Sequence, residues 1–239
     1  MSEEPQTRKL ARQWDLSPTQ AVALQRQLRQ HVDVAEREMD ISRIAGTDLS
    51  YDKGSDLFYA GIVVLDYESM DILGSSSVVD RAPFPYVPGL LSFRELPALM
   101  KAWKALPLIP DVVICDGHGI AHPRRLGIAT HFGMATGTPS IGCAKKILTG
   151  EHEPLPPGRG SYRALKKNGE MIGYALRSRD NIKPVYVSPG HLIGHKLSRE
   201  IVLHCARGYK LPEPTRQAHK MVNRLRRGEE DPGTRVLGE

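Results

Sequence analysis

Asp116-Gly117-His118-Gly119 follows directly on the apolar run Val112-Val113-Ile114-Cys115, and His122, Arg124 and Arg125 come next. A short run this rich in β-branched residues reads as a buried strand. It therefore delivers the Asp116 carboxylate to its own carboxyl end, which is where ligands bind in open α/β sheets. Glycines on both sides of His118 let the backbone come close to a ligand. Two further carboxylates stand out: Asp48, inside the otherwise apolar Ile44-Ala45-Gly46-Thr47-Asp48-Leu49-Ser50-Tyr51, and Glu95, at the start of a helical pattern. Three converging carboxylates repel one another, and a divalent cation relieves them; all-oxygen ligation favours magnesium or manganese over zinc. Such a cluster points to metal-assisted phosphoryl chemistry.

Each residue also has a plainer reading. Asp48 fits the end of a strand paired with an arginine, Glu95 fits the N3 partner of Ser92 in a capping box, and Asp116-Gly117 fits an ordinary turn. His118 and His122 have the HxxxH spacing of a zinc pair, but that spacing joins two ligands only on a helix, and Gly117 and Gly119 argue against one. Lys145 follows an apolar strand, where a fixed cation could stabilise charge on a phosphate; beside Lys146 it also reads as a surface lysine. His219 fits a proton carrier or a plain polar residue of the last helix. In Phe84-Pro85-Tyr86-Val87-Pro88, prolines on both sides of Tyr86 hold a stiff loop that can present a ring to a base stack. Such contacts are worth about 1–3 kcal/mol each. The alternative is an apolar plug folded back on the core.

These residues need elements to position them. Ser17-Pro18-Thr19-Gln20 is a helix start, and Leu24, Leu28 and Val32 mark an amphipathic helix reaching about Arg37. Ile44 to Tyr51, Phe58 to Leu65 and Ile72 to Val79, separated by short linkers containing Lys53-Gly54-Ser55 and Glu68-Ser69-Met70-Asp71, predict an antiparallel meander. Ser92 leads into a helix running to about Leu106, with Pro97 moving its regular start towards Glu95. The strand ending at Asp116, a helix over 127–136 and a strand from Pro139 to Ala144 give strand, helix, strand, the sign of parallel pairing. Asn168-Gly169 marks a hairpin, Pro184 to Val187 a last strand, and helices near 198–207 and 215–224 close the chain. An α/β fold with one mixed sheet, an antiparallel meander plus parallel strands flanked by helices, is the order of the ribonuclease H-like fold.

Residues 1–16 read as a flexible lead-in, 17–225 as a single catalytic domain and 226–239 as a charged, frayed tail. The 239 residues suffice for one core. Lys plus Arg number 33 against 27 Asp plus Glu, a net charge of +6 that favours a polyanionic partner. Cys115, Cys143 and Cys205 are too far apart for a zinc knuckle or a disulfide framework, and read as buried hydrophobes in a reducing compartment. With no targeting segment and no apolar run long enough to span a bilayer, the expectation is a cytoplasmic protein without a membrane partner.

Taken in order, AGTDLSY, PYVPGLLSFRE, DGHGIAHPRRLGIATHFG, IGCAKK and YKLPEPTRQAH resemble the endonuclease V family of deoxyinosine-specific repair nucleases, over residues 41–220. The resemblance implies that Asp48 and Asp116 bind metal, Mg2+ or Mn2+, with Glu95 completing the cluster directly or through water. It gives Lys145 the scissile phosphate and sets His219 near the site. It makes Tyr86 a wedge filling the gap left by a displaced base, within Pro85, Tyr86, Val87 and Pro88. Gly89, Leu91, Gly117, His118, Gly119 and His122 would form the base pocket, with Arg124 close by. The implied reaction is hydrolysis of the second phosphodiester bond 3′ to inosine in DNA, leaving a 3′-hydroxyl and a 5′-phosphate, by a monomer. Inosine-specific cleavage of RNA is an alternative within the same fold, since the two substrates differ by a 2′-hydroxyl. A non-catalytic nucleic-acid-binding protein is another. Cys143 stands where valine is usual in the family, and the loop over 150–160 is richer in Pro and Gly than the pattern.

Overall fold

A computed structural model describes residues 5–52 and 54–236. Its centre is β1 (Arg43–Tyr51), whose register places the site. β1 pairs antiparallel with β2 (Leu57–Asp66), which pairs with β3 (Ile72–Arg81), so the expected meander is present. Its other edge pairs parallel with β4 (Val112–Cys115), which pairs parallel with β5 (Ser140–Ala144). An antiparallel arm of β6 (Tyr162–Lys167), β7 (Glu170–Leu176) and β8 (Val185–His191) completes that side through β5. The hairpin between β6 and β7 turns at Asn168 and Gly169, both with positive φ, as a two-residue type I′ turn requires. A short β9 (Gly233–Val236) pairs with β3, giving the order β6-β7-β8-β5-β4-β1-β2-β3-β9.

Helices cover both faces. α3 (Leu91–Lys104) and α4 (Ile128–Thr136) pack on one face, over a core that includes Ala45, Ile62, Leu96, Val113 and Phe132. α5 (His195–Cys205) and α6 (Glu213–Arg226) cover the other, over Ile44, Val63, Ile114, Ile201 and Met221. Strands buried on both faces explain the continuous apolar runs in the sequence. α6 seats close to β1: a Cβ on Gly46 would lie 2.1 Å from the Pro214 carbonyl carbon, so only glycine admits the helix at that depth.

The last strand, expected to end at Val187, runs on as β8 to His191, and α5 begins at His195, ahead of the expected 198; four further departures concern helix limits and the two ends of the chain. α2 (Pro18–Arg29) begins as expected, with Ser17 and Gln20 forming a capping box, but it stops well short of Arg37. Beyond it the chain runs to the sheet, where the Asp33 carbonyl accepts from Leu192 N at 2.7 Å. α3 starts at Leu91 despite Pro97, and Ser92 is no capping residue: its hydroxyl meets His131 Nδ1 at 2.9 Å. The lead-in carries α1 (Gln6–Leu10), and Ala11 after it is buried. The tail carries β9, held partly by Thr234 Oγ1 donating to the Ala105 carbonyl at 2.9 Å. Residues 1–4 and 237–239 of those two segments, and Lys53 of the first linker, lie outside the described residues. No helix among the described residues is long and apolar enough to cross a membrane. All three cysteines are free and buried.

Candidate active site

Register brings the first two carboxylates together. Thr47 of β1 faces Cys115 of β4, so the next residues, Asp48 and Asp116, leave the paired region side by side. β4 ends there while β1 continues to Tyr51 against β2, and the uncovered edge of β1 opens a cavity of about 260 Å³. Asp48, Glu95, Asp116, Lys145 and His219 all line it. Five residues spread over 171 positions of sequence thus meet at one strand end.

The charges in this cavity are unevenly satisfied. Asp116 accepts a hydrogen bond from Lys145 Nζ at the end of β5. Burial works against the Lys145 ammonium, but Asp116 outweighs it and holds the pKa above its usual value. Asp48 is raised by burial and then by Asp116; the Leu49 backbone and His219 pull the other way. Glu95 forms no ion pair among the described residues, and only Arg94 draws its pKa down. Burial first, and then Asp48 and Asp116, push its pKa up to about 8. A carboxyl with so high a pKa is mostly protonated at neutral pH in the absence of added positive charge.

His219 belongs to a hydrogen-bonded chain that its sequence position does not reveal. Its Nδ1 donates to Asp48 Oδ2 at 2.7 Å, while Asn223 Nδ2, one helical turn on, donates to Nε2 at 3.1 Å and to the His219 carbonyl at 2.8 Å. Ser50 Oγ in turn donates to Asn223 Oδ1 at 3.3 Å. Asn223 therefore fixes the tautomer with the proton on Nδ1, aimed at the carboxylate. Sequence reasoning missed Ser50 and Asn223. The signal available was His219 and Asn223 at i, i+4 on one face of a helix.

A second cavity of about 260 Å³ adjoins the first, sharing Leu91 and Ile128 with it. Tyr86, Val87, Pro88, Gly89, Gly117, His118 and His122 also line it. Phe84 is buried against Phe93, ring centroids 5.9 Å apart, whereas Tyr86 is 69% exposed, so the plug and the presented ring are two different residues of one stiff loop. Pro85 is exposed and lies off the cavity. Gly119 also lies off it: its N–H donates to Ser188 Oγ at 2.8 Å, and its Cα faces the Pro189 carbonyl so closely that a Cβ would lie 2.1 Å from the oxygen. That glycine serves packing beneath the loop. His118 Nε2 donates to the Lys146 carbonyl at 2.9 Å, and burial lowers its pKa. His122 is pushed down to about 4, by burial first and then by Arg124. Both rings are neutral near pH 7, and both sit in irregular backbone.

The donor set of the first cavity, three carboxylates with no cysteine and with His219 turned onto Asp48, suits a hard divalent cation. In the arrangement seen here Asp48 and Asp116 are engaged by His219 and Lys145, and no group of three His, Cys, Asp or Glu among the described residues closes on a common point.

A family model described as Endonuclease V matches residues 25–220. The chain is 50% identical over 217 residues to endonuclease V of Myxococcus xanthus, covering 90% of this chain and 92% of that one. Its fold is similar to the crystal structure of endonuclease V from Streptomyces avermitilis, with a TM-score of 0.86 at 38% identity, over 90% of this chain and 96% of that one. At 24% identity and a TM-score of 0.78, over 89% of this chain and 98% of that one, it also shares the fold of Ciona intestinalis endonuclease V. That protein was solved with a 24mer DNA containing an inosine followed by a ribo-adenosine.

Proposed function

The chain belongs to the endonuclease V family of nucleases, and on that premise we propose that it hydrolyses the second phosphodiester bond 3′ to inosine in DNA. The observation that carries the reading is the pairing of two cavities across the Leu91 and Ile128 wall, one lined by carboxylates and a lysine, the other by a presented ring and neutral polar groups. One suits a phosphodiester and the other a displaced base.

Asp48, Asp116 and Glu95 are the residues that would hold Mg2+ or Mn2+. When bound, such an ion lowers the pKa of the attacking water and offsets charge on the phosphate. Lys145, steered by Asp116, carries a positive charge available to a non-bridging phosphate oxygen. His219 keeps its Nδ1 proton on Asp48 and so orients that carboxylate. In the adjoining cavity, inosine differs from adenine by a carbonyl oxygen and a ring N–H on its Watson–Crick edge, which backbone donors and acceptors around Gly117 and His118 distinguish. Displacing a base costs a few kcal/mol, and Tyr86 stacked in the gap offsets part of it.

End-labelled duplex with one inosine, incubated in magnesium and in EDTA beside undamaged duplex and an inosine-containing RNA strand, tests the reading. The expected result is a single metal-dependent nick one nucleotide beyond the inosine in DNA. Cleavage of RNA alone would move the substrate to RNA, and binding without cleavage would leave a non-catalytic protein. Asp116→Ala is expected to reduce the rate at least about 10²–10³-fold with binding retained. Tyr86→Ala is expected to weaken binding of inosine duplex by about 1–3 kcal/mol while changing the single-turnover rate at saturating enzyme much less. Equal loss in both measurements would remove the wedge assignment.

A further inference from the structure

Joined to the base cavity through Arg124 and Gly89 lies a cavity of about 340 Å³ lined by Arg26, Arg29, Gln30, Pro123 and Arg124. Every charged group on its walls is a guanidinium, and no carboxylate lines it. Arg26 and Arg29 come from the last turn of α2, and Arg26 bears on Arg124 as a like charge. Arg26 and Arg29 are exposed and Arg124 is half-buried, so the three guanidiniums present positive charge to solvent with no carboxylate among them, and a planar guanidinium fits phosphate oxygens in pairs.

Arg124 also ties this cavity to the base cavity. Its Nη2 donates to the Gly89 carbonyl at 2.7 Å, and its Nε donates to Gln25 Oε1. Gln25, fully buried, donates from Nε2 to the same Gly89 carbonyl at 3.0 Å and to the Leu126 carbonyl at 3.3 Å. Gly89, with φ of +78°, is the residue where the wedge loop turns into α3. The base cavity therefore has two neighbours, the carboxylate cavity through Leu91 and Ile128 and the arginine cavity through the contact of Arg124 with Gly89.

We propose that the arginine cavity binds backbone phosphate of the cleaved strand on the 5′ side of the modified base. The assignment of direction rests on the function proposed above: a strand whose 3′ side runs from the base cavity to the carboxylates leaves its 5′ side towards Arg124, Arg26 and Arg29. A phosphate there draws on Arg124, whose other contacts hold Gly89, so occupancy on the 5′ side also braces the wedge loop.

The test compares wild-type protein with R26A/R29A on two labelled single strands, one with ten nucleotides 5′ of the inosine and one beginning at the inosine, with equal 3′ flanks. Arg124 is left in place because its loss would loosen Gly89. The variant is expected to bind the long 5′ flank about tenfold more weakly, with a salt slope shallower by about one, and to bind the flankless strand like wild type. R26K/R29K is expected to recover part of the loss, since charge is kept and only the paired geometry is lost. Thermal melts of the two variants and wild type report whether the helix end is intact. Equal loss on both strands, loss on neither, or loss that appears only when a complementary strand is added would overturn the proposal. Binding is read by fluorescence anisotropy in EDTA, so the result does not depend on cleavage. If wild type fails to cut inosine strands, the proposed reaction falls while the flank dependence of binding still decides the arginine cavity.

Discussion

Asp48 and Asp116 are legible in the sequence because each interrupts or ends an apolar run, where a carboxylate without a partner is costly. Their partners are not legible in the same way. Asn223 reaches His219 through one turn of α6, but Ser50 reaches Asn223 only because the helix lies against β1, a tertiary fact that no local pattern carries. The chain Ser50, Asn223, His219, Asp48 fixes one tautomer of the ring and one orientation of the carboxylate. Asn223→Ala leaves His219 Nε2 without its donor and frees the other tautomer. The expected loss in cleavage rate is about 10–100-fold, the range typical of groups that orient metal-binding residues. Asn223→Gln, whose longer side chain keeps the amide, tests for rescue. No change in rate with Asn223→Ala would mean that His219 is oriented by Asp48 alone.

Periodicity places the meander strands close to their observed limits, whereas β8 runs past the expected Val187 to His191. It does not place the helix ends, because α2 and α3 end where tertiary partners decide. His131 shows this most directly. Fully buried on α4, its Nε2 donates to the Ala11 carbonyl after α1 at 2.9 Å, its Nδ1 accepts from Ser92 in the first turn of α3 at 2.9 Å, and Trp14 and Phe93 pack on its ring. One neutral imidazole thus joins three helices, and it explains both the ordered lead-in and the missing capping box. Burial pushes its pKa down to about 4 from an ordinary 6.5. A histidine with a folded pKa below its unfolded value contributes stability that is fully present above about pH 6.5 and is lost as pH falls towards 4. The contribution is roughly 3 kcal/mol. The stability difference between wild type and His131→Asn, measured by denaturant unfolding, is expected to shrink by about that amount between pH 7 and pH 4. A difference constant across that window would show that the ring does not titrate with unfolding.

At the scale of the whole molecule, the sheet, nine strands among the described residues, ends on one side in β9, four exposed residues that shield the β3 edge over Gly74 to Ser77. No apolar alternation marks that segment in the sequence, since β9 buries nothing and is held by ladder bonds, Thr234 and the pairs of Glu230 with Arg224 and Arg235. Truncation after Pro232 is expected to cost little stability, about 1 kcal/mol, because so little apolar surface is covered. It also leaves an open strand edge, a known template for self-association. Light scattering is expected to show a mass that rises with concentration in the truncated protein and not in the full chain. A large drop in melting temperature instead would assign β9 to the stability of the sheet.

The wall between the two cavities is built from the first residue of α3 and the first residue of α4. Helix starts seated on a buried sheet do not slide as loop tips do, so on the function proposed above the span from a captured base to the bond that breaks is set by architecture and is indifferent to the nucleotide lying between. The fold acts as a ruler with two fixed marks, and the distance it measures is the offset between damage and incision.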